Sequence, residues 1–319
     1  MVRYISLKVG RALFVVWAAF TVTFVLLFVL PADPVDLLFD PAEINTVPQE
    51  VRDQVAASYG FNQPVILQYL NRLGHALIGD FGNSVGSGRR VTESLFEVLP
   101  NTLILAAGAL VLAILIGFGI ALLATSTRLP WLRNLVESLP SASVSIPVFM
   151  FGILLLQFFS FTLGWFPSFG DHGWQSLVLP LITLAIPVSG PIAQLLVGSF
   201  AEEFHSGYVT TSFAKGNTRG GIILGDVFRN ASLPALTIAG ITFGNLIAGA
   251  VITETVFARS GVGRLTQQAI NTLDVPLVQG IIVFVAASFA LINLAVDLVY
   301  PLLDPRLRAS LAIQPVRTA

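Results

Sequence analysis

Three histidines, His75, His172 and His205, are the first candidates for metal or acid–base chemistry. They fall in three different loops. No H-E-x-x-H or other paired ligand spacing joins them, so a catalytic metal centre is not indicated. Gly82-Asn-Ser84-Val-Gly86 matches G-x-S-x-G, the pattern that presents a hydrolase nucleophile. That pattern needs a strand before it and a helix after it inside an α/β sheet, whereas here it lies in a glycine-rich stretch and reads as a turn. An intramembrane protease would need a serine and a histidine buried in apolar spans, and no histidine lies in one. Lys8 and Lys215 are the only lysines, and neither precedes Ser or Thr, so there is no G-x-x-x-x-G-K-[ST] phosphate loop. The chain has no cysteine, which excludes disulfides, Cys-ligated zinc and iron–sulfur clusters. These residues therefore point away from an enzyme, a resident cofactor or a metal site.

The elements that would have to position any chemistry explain the scarcity. Only 11% of the 319 residues are charged, against 55% hydrophobic, where soluble chains carry roughly 25% charged residues. So few charges cannot solvate a soluble surface of this size. The net charge of −1 gives no reason to expect nucleic acid. A bilayer-spanning helix needs about 20 apolar residues. Charge-free stretches meeting that length occur at 12–32, 98–127, 138–170, 172–201, 230–253 and 275–296. They predict an all-α polytopic membrane protein with six transmembrane helices near 9–30, 99–125, 140–162, 177–200, 234–256 and 277–301. The gap 54–71 contains Gln54, Asn62, Gln63, Gln68 and Asn71 and reads as an extramembrane amphipathic segment. The run from Ala12 to Leu30 is too long for a cleaved signal peptide, and no A-x-A site follows it.

Lys and Arg set the orientation. With the N-terminus inside, 11 of the 17 basic residues lie inside and 12 of the 18 acidic residues outside. N-in/C-in is therefore favoured. The outer segment 31–98 should hold structure of its own. Leu67, Leu70, Leu73 and Leu77 predict a helix over Val65–Leu77, followed by a turn-rich strap from Gly79 to Gly88. The inner segment 201–233 reads as two short helices, 208–215 and 218–230, broken at Gly216.

Within the spans, Gly240, Gly244 and Ala248 form a small-xxx-small stripe, suited either to ordinary helix packing or to a subunit interface. Pro180, Pro187 and Pro191, with Gly190, predict a kinked helix, either static or moving beside a pathway. Glu254 and Asp297 fall near span ends and are expected at the membrane interfaces rather than in a proton path. The competing class, a self-contained channel or secondary carrier, would call for buried ionisable groups or an inverted repeat, and neither is found.

Several strings, taken in order, resemble the membrane subunit of an ATP-binding-cassette importer. The branch is the oligopeptide/dipeptide permeases, B-type of the two paired permeases. Leu30-Pro-Ala-Asp-Pro34 resembles LPGDP at the close of span one. Tyr59-Gly-Phe-Asn-Gln-Pro64 with Gln68-Tyr-Leu70 resembles YGLDxP…QYL, and Gly79-Asp-Phe-Gly82 followed by Ser84 resembles GDLGxS. Leu163-Gly-Trp-Phe-Pro167, Glu254-Thr-Val-Phe257 with Gly261-Val-Gly263, and Asp304-Pro-Arg306 match further family strings. Tyr208-Val-Thr-Thr-Ser-Phe-Ala-Lys-Gly216, with Arg229-Asn230 and Leu233-Pro234, resembles the permease coupling loop. Three departures stand out. Thr210, Thr211 and Ser212 replace the E-A-A triplet, Asp226 replaces a basic or histidine residue, and Ser260 replaces a proline.

The resemblance implies a type I importer permease with one membrane domain over 1–319, in the cell (inner/cytoplasmic) membrane. Its extracytoplasmic insertion would be 31–98 and its cytoplasmic coupling loop 201–233. Partners would be a second homologous permease, P-loop ATPase subunits or a fused ATPase, an extracytoplasmic substrate-binding protein and the lipid bilayer, with no nucleic acid. ATP would be bound by the partner subunits alone. Tyr208, Thr211, Ala214, Lys215, Gly216, Arg219 and Arg229 would form the ATPase-coupling surface, and Asp80, Phe81 and Ser84 the outer contact with the binding protein. The implied cargo is short peptides, with nickel, glutathione or another small solute as alternatives in the same family.

Overall fold

A computed structural model describes residues 2–29, 47–58, 62–127 and 129–303. The LPADP string, the first residues of the Tyr59 string and the Asp304-Pro-Arg306 string lie outside these. The described residues are helical, without a β-strand beyond one isolated bridge between Asn83 and Arg90. In chain order the helices are α1 (Val2–Phe24, continued by a π turn over Val25–Val29), α2 (Gln49–Ser58), α3 (Val65–Leu77), α4 (Val91–Ser126), α5 (Pro130–Ser143) and α6 (Val148–Leu155, continued by a wide turn over Leu156–Thr162). There follow α7 (Gln175–Phe204), α8 (Gly207–Ala214), α9 (Arg219–Ile222, continued by a π turn over Ile223–Val227), α10 (Phe228–Val256), α11 (Val262–Asn271) and α12 (Val275–Leu303).

Each of the six charge-free segments carries helix. Four helices among the described residues are long and apolar enough to cross a bilayer: Tyr4–Val29, Val91–Ser126, Gln175–Phe204 and Val275–Ala295. A fifth crossing results if the bent pair Pro130–Ser143 and Val148–Thr162 counts as one. That pair lies where one span is expected at 140–162, and its halves meet at 107°. Pro147 is the cause. It caps α6 in an extended conformation, φ −56° and ψ 135°, and a proline disfavours the helical region for the residue before it, Ile146. α10 overlies the fifth predicted span, and it begins upstream of it because α9 and the π turn run straight into it. The expected separate helix over 218–230 is thus the first part of a long one.

The chain divides into two compact units. The first comprises Met1–Ile5, Thr102–Arg259 and Ile292–Ala319. α7 is its centre, burying Leu184, Ala185, Ile192, Leu196 and Phe200. Small residues let α4 approach it: a Cβ on Gly108 would meet Leu181 Cδ2 at 2.7 Å, and one on Gly117 would meet Ile192 Cγ2 at 2.9 Å. Close backbone approach of this kind drives helix pairing where the lipid gives no hydrophobic incentive. A Cβ on Gly190 would lie 2.7 Å from the Pro140 carbonyl oxygen, so α5 crosses α7 at that glycine. α7 continues without interruption through Pro180, Pro187 and Pro191.

α10 turns Leu246, Ile247, Ala250 and Thr253 inward, whereas Gly244 is buried, Gly240 half-buried and Ala248 exposed. The small-residue stripe therefore rotates off the packed face, and it is Gly249 that approaches Leu184. Glu254, near the end of α10, is enclosed by protein at 1% exposure. Its carbonyl accepts the Arg259 N–H at 2.9 Å. Arg259 is itself buried, bonding Asp171 at 3.1 Å and the Ser176 hydroxyl at 3.0 Å.

The second unit comprises Ser6–Asn101 and Ser260–Leu291. Phe20, Phe24 and Phe28 form an aromatic column on α1. Tyr69 of α3 meets Phe24 edge-on, with ring centroids 5.3 Å apart, and its hydroxyl bonds Thr21 at 2.8 Å. Val91, Leu95, Val262, Ala269, Leu277 and Ile281 make a second cluster. Gly280 lies hard against Val91 and Phe81, with no room for a side chain.

Candidate functional site

The coupling-loop string folds as a helix and a tight reversal. α7 ends at Phe204, the chain turns through Ser206, and α8 occupies Gly207–Ala214. Eight residues cannot hold a helix by propensity alone, so its buried side anchors it. Val209 is 3% exposed and Ser212 6%. Tyr208 donates its hydroxyl to Glu203 at 2.8 Å. Burial pushes the Tyr208 phenol above its ordinary value, and the Glu203 carboxylate adds to this, so it remains a donor. Phe213 packs edge-on against Phe204 with centroids 6.2 Å apart.

Gly216 is where the chain reverses. Its φ is +84°, a region that residues with a Cβ avoid. Its N–H donates to the Phe213 carbonyl at 2.9 Å, and the Asn217 N–H to the Ser212 carbonyl at 3.2 Å, closing the helix end. Thr218 then caps α9 by accepting the Gly221 N–H at 3.3 Å. Arg219 donates to the Thr125 carbonyl at the end of α4, 3.0 Å, and lies over the Phe204 ring at 4.9 Å.

Among the sequence-predicted coupling residues, Thr211, Ala214, Lys215, Gly216, Arg219 and Arg229 are exposed and Tyr208 is half-buried. From Thr211 to Arg219 every residue but Ser212 is exposed. Two of the departures from the family pattern meet in space: the Ser212 hydroxyl reaches Asp226 at 3.4 Å, and Asn217 donates to that same hydroxyl at 2.9 Å. The changed triplet thus keeps one face inward through Ser212 and leaves Thr210 and Thr211 outward.

The three residues expected at the outer contact behave differently from one another. Asp80 is exposed. Its Oδ1 accepts the Gly82 N–H at 3.0 Å, and its Oδ2 lies 3.2 Å from His75 Nδ1. The Gly82 N–H, aided by His75, holds the Asp80 carboxyl below its ordinary value. Phe81 packs inward against Gly280. Ser84, expected at an outer contact, is 3% exposed and donates to Asp274 Oδ2 at 2.5 Å. Asp274 also accepts the N–H of Gly86 at 3.1 Å and of Leu277 at 3.2 Å. It is the hub that ties the strap to the α11–α12 turn. Nothing local in the sequence pairs Ser84 with a residue 190 positions away. Among the described residues no group of three or more His, Cys, Asp or Glu could hold a metal ion.

The description "Binding-protein-dependent transport system inner membrane component" belongs to the family model that matches residues 113–309. The chain is 34% identical over 285 residues to the glutathione transport system permease protein GsiC of Salmonella typhimurium, covering 89% of this chain and 92% of that protein. It is 32% identical over 308 residues to GsiC of Escherichia coli K12, covering 97% and 99%. Among solved structures, a chain of the inward-facing MetNI methionine ABC transporter superposes with a TM-score of 0.54 at 20% identity, covering 66% of this chain and 96% of that one. The last likeness is one of fold.

Proposed function

The chain belongs to the family of binding-protein-dependent transport system inner membrane components, and from that premise we propose that it forms half of the pathway of an importer for short peptides, glutathione-like tripeptides included. It is a membrane-spanning permease subunit of an ATP-binding-cassette importer rather than an enzyme. The proposal adds six crossings with both termini inside, 31–98 outside and 201–233 inside, in the inner membrane. It also adds a second homologous permease, P-loop ATPase subunits and an external binding protein as partners.

The observation that carries the reading is the exposed helix-turn from Thr211 to Arg219, reversed at Gly216 with φ +84°. A permease has no ATP site and must receive work through contact. ATP energy acts only as a difference in affinity for two states of the bundle. A rigid surface pinned to α4 through Arg219 and Thr125 can pass a push from α8 directly to a long membrane helix. The likeness to glutathione permeases supports tripeptide-sized cargo.

Affinity purification from native membranes tests the assembly. A second six-span permease and a P-loop ATPase should co-purify, and ATP-dependent uptake of radiolabelled tripeptide should require both. A homomer that transports without an ATPase would refute it.

A further inference from the structure

The unit built from Ser6–Asn101 and Ser260–Leu291 carries a cavity of about 650 Å³, open on one side. That volume lies in the range of small-molecule sites, about 300–1,000 Å³. Its wall is polar for a membrane protein. Gln68, Asn71 and Arg72 come from α3, Asp80 and Asn83 from the strap, and Gln279 from α12.

Gln279 is the informative residue. It is 4% exposed, and its Nε2 has no hydrogen-bond partner among the described residues. A side-chain amide carries two donors on that nitrogen, and native proteins seldom bury one without supplying an acceptor. The acceptor is therefore something that enters the cavity. Side-chain amides offer a carbonyl and an NH2 together, the complement of a peptide unit. Arg72 is fixed over the Phe28 ring at 4.1 Å and supplies a planar cation suited to a carboxylate. Asp80 meets the Gly82 N–H through Oδ1 and His75 through Oδ2, and a carboxylate has about four acceptor sites, so it can still accept from a ligand. A lining of side-chain amides, a guanidinium and a carboxylate suits an organic zwitterion.

We propose that this cavity is a ligand site for a short peptide or peptide-like carboxylate, with Gln279 donating to a peptide carbonyl and Arg72 holding the carboxylate. The ligand class rests on the peptide-import reading. The site itself rests on the cavity and on Gln279. Cargo would thus contact one permease at a place built by that chain alone.

The test titrates the assembled complex in lipid nanodiscs, without ATP or binding protein, with trialanine, trialanine amide and glutathione by calorimetry. Saturable binding of trialanine and glutathione is expected, at least tenfold weaker in Gln279→Leu and Arg72→Gln. Trialanine amide should bind at least tenfold more weakly than the acid. Asn71→Ala, on the exposed face of α3, should weaken binding severalfold and decides the matter if Gln279→Leu does not assemble. Absence of binding, meaning that solvent alone fills the cavity, or equal affinity in wild type and variants, overturns the site. Binding without uptake of the same compounds would sink the transport reading and leave the site standing. Uptake without binding here would do the reverse.

Discussion

The strap from Gly79 to Arg90 and the helix-turn from Gly207 to Arg219 are both short, glycine-marked and rich in hydroxyl side chains, yet they are built in opposite ways. The strap is tied inward. Ser84 is buried on Asp274, Gly86 bonds the same carboxylate, and Thr92 donates to the Gly79 carbonyl at 2.8 Å. The helix-turn is held by its rear, through Val209, Ser212 and Tyr208, and presents Thr210, Thr211, Ala214 and Lys215 outward. A surface that must receive a partner keeps its polar groups on local backbone bonds and leaves its face bare. A segment that must hold two helix ends together spends its polar groups on a buried acceptor. The same residue types therefore predict opposite responses to mutation: function without stability in one, stability first in the other.

The largest expected effect is at Gly216. Proline would fix φ near −65° where the turn needs +84°, and it would remove the N–H bonded to Phe213. A backbone penalty of about 3 kcal/mol corresponds to roughly a hundredfold loss in population of the competent turn. Gly216→Pro should lower uptake by that order while membrane insertion, read by protease accessibility, is unchanged. Undiminished uptake would remove the turn from the mechanism.

Next comes the hub of the strap. Asp274→Ala leaves Ser84, Gly86 and Leu277 donors without their acceptor, and should cost about 2–4 kcal/mol of stability. Thermal unfolding of the purified protein would show it, and an unshifted midpoint would break the contrast drawn above. Ser84→Ala removes the hydrogen bond to the buried carboxylate and the two that Ser87 donates to the Ser84 hydroxyl, and should cost about 1–2 kcal/mol by the same measurement. Lys215→Glu, on the bare face, should stay within about 0.5 kcal/mol of wild-type stability. It should still lower the ratio of transport to ATP hydrolysis severalfold.

The smallest effect is acid loosening of the Gly79–Gly82 turn. The Asp80 carboxyl is held below 3.8 chiefly by the Gly82 N–H, with His75 and Arg90 adding. Its contribution is whole above pH 3.8 and is lost as pH falls through the lowered folded value. Faster amide exchange at Gly82 on acidification below that window, corrected for intrinsic rates, checks it; Asp80→Asn should remove the dependence.

What was legible in the sequence follows the range of each signal. Val65–Leu77 was readable because leucines at helical spacing are a local pattern, and α3 has those bounds. Gly216 was readable because a glycine after a helical run is a local stop signal. The bend at Pro147 was missed because counting charge-free residues treats 138–170 as uniform, although the proline was in view. The stripe at Gly240, Gly244 and Ala248 could not fix which face packs, because four-residue spacing drifts around a helix of 3.6 residues per turn: Gly244 is buried and Ala248 is exposed. Asp274 and Gln279 had no signal at all. One is joined to Ser84 and the other lines a cavity with α3, and only the fold brings such distant positions together.

The natural chain has no cysteine, which makes one cross-linking measurement direct. Ala214→Cys and, as a control, Asn71→Cys are each introduced into the assembled complex and treated with a short thiol-to-amine reagent. The account predicts a cross-link from position 214 to the ATPase subunit, lost when Gly216→Pro is combined with it, and none to the ATPase from position 71. An ATPase that co-purifies but cross-links from position 71 and not from 214 would contradict the central claim that the Thr211–Arg219 surface receives the energy of ATP.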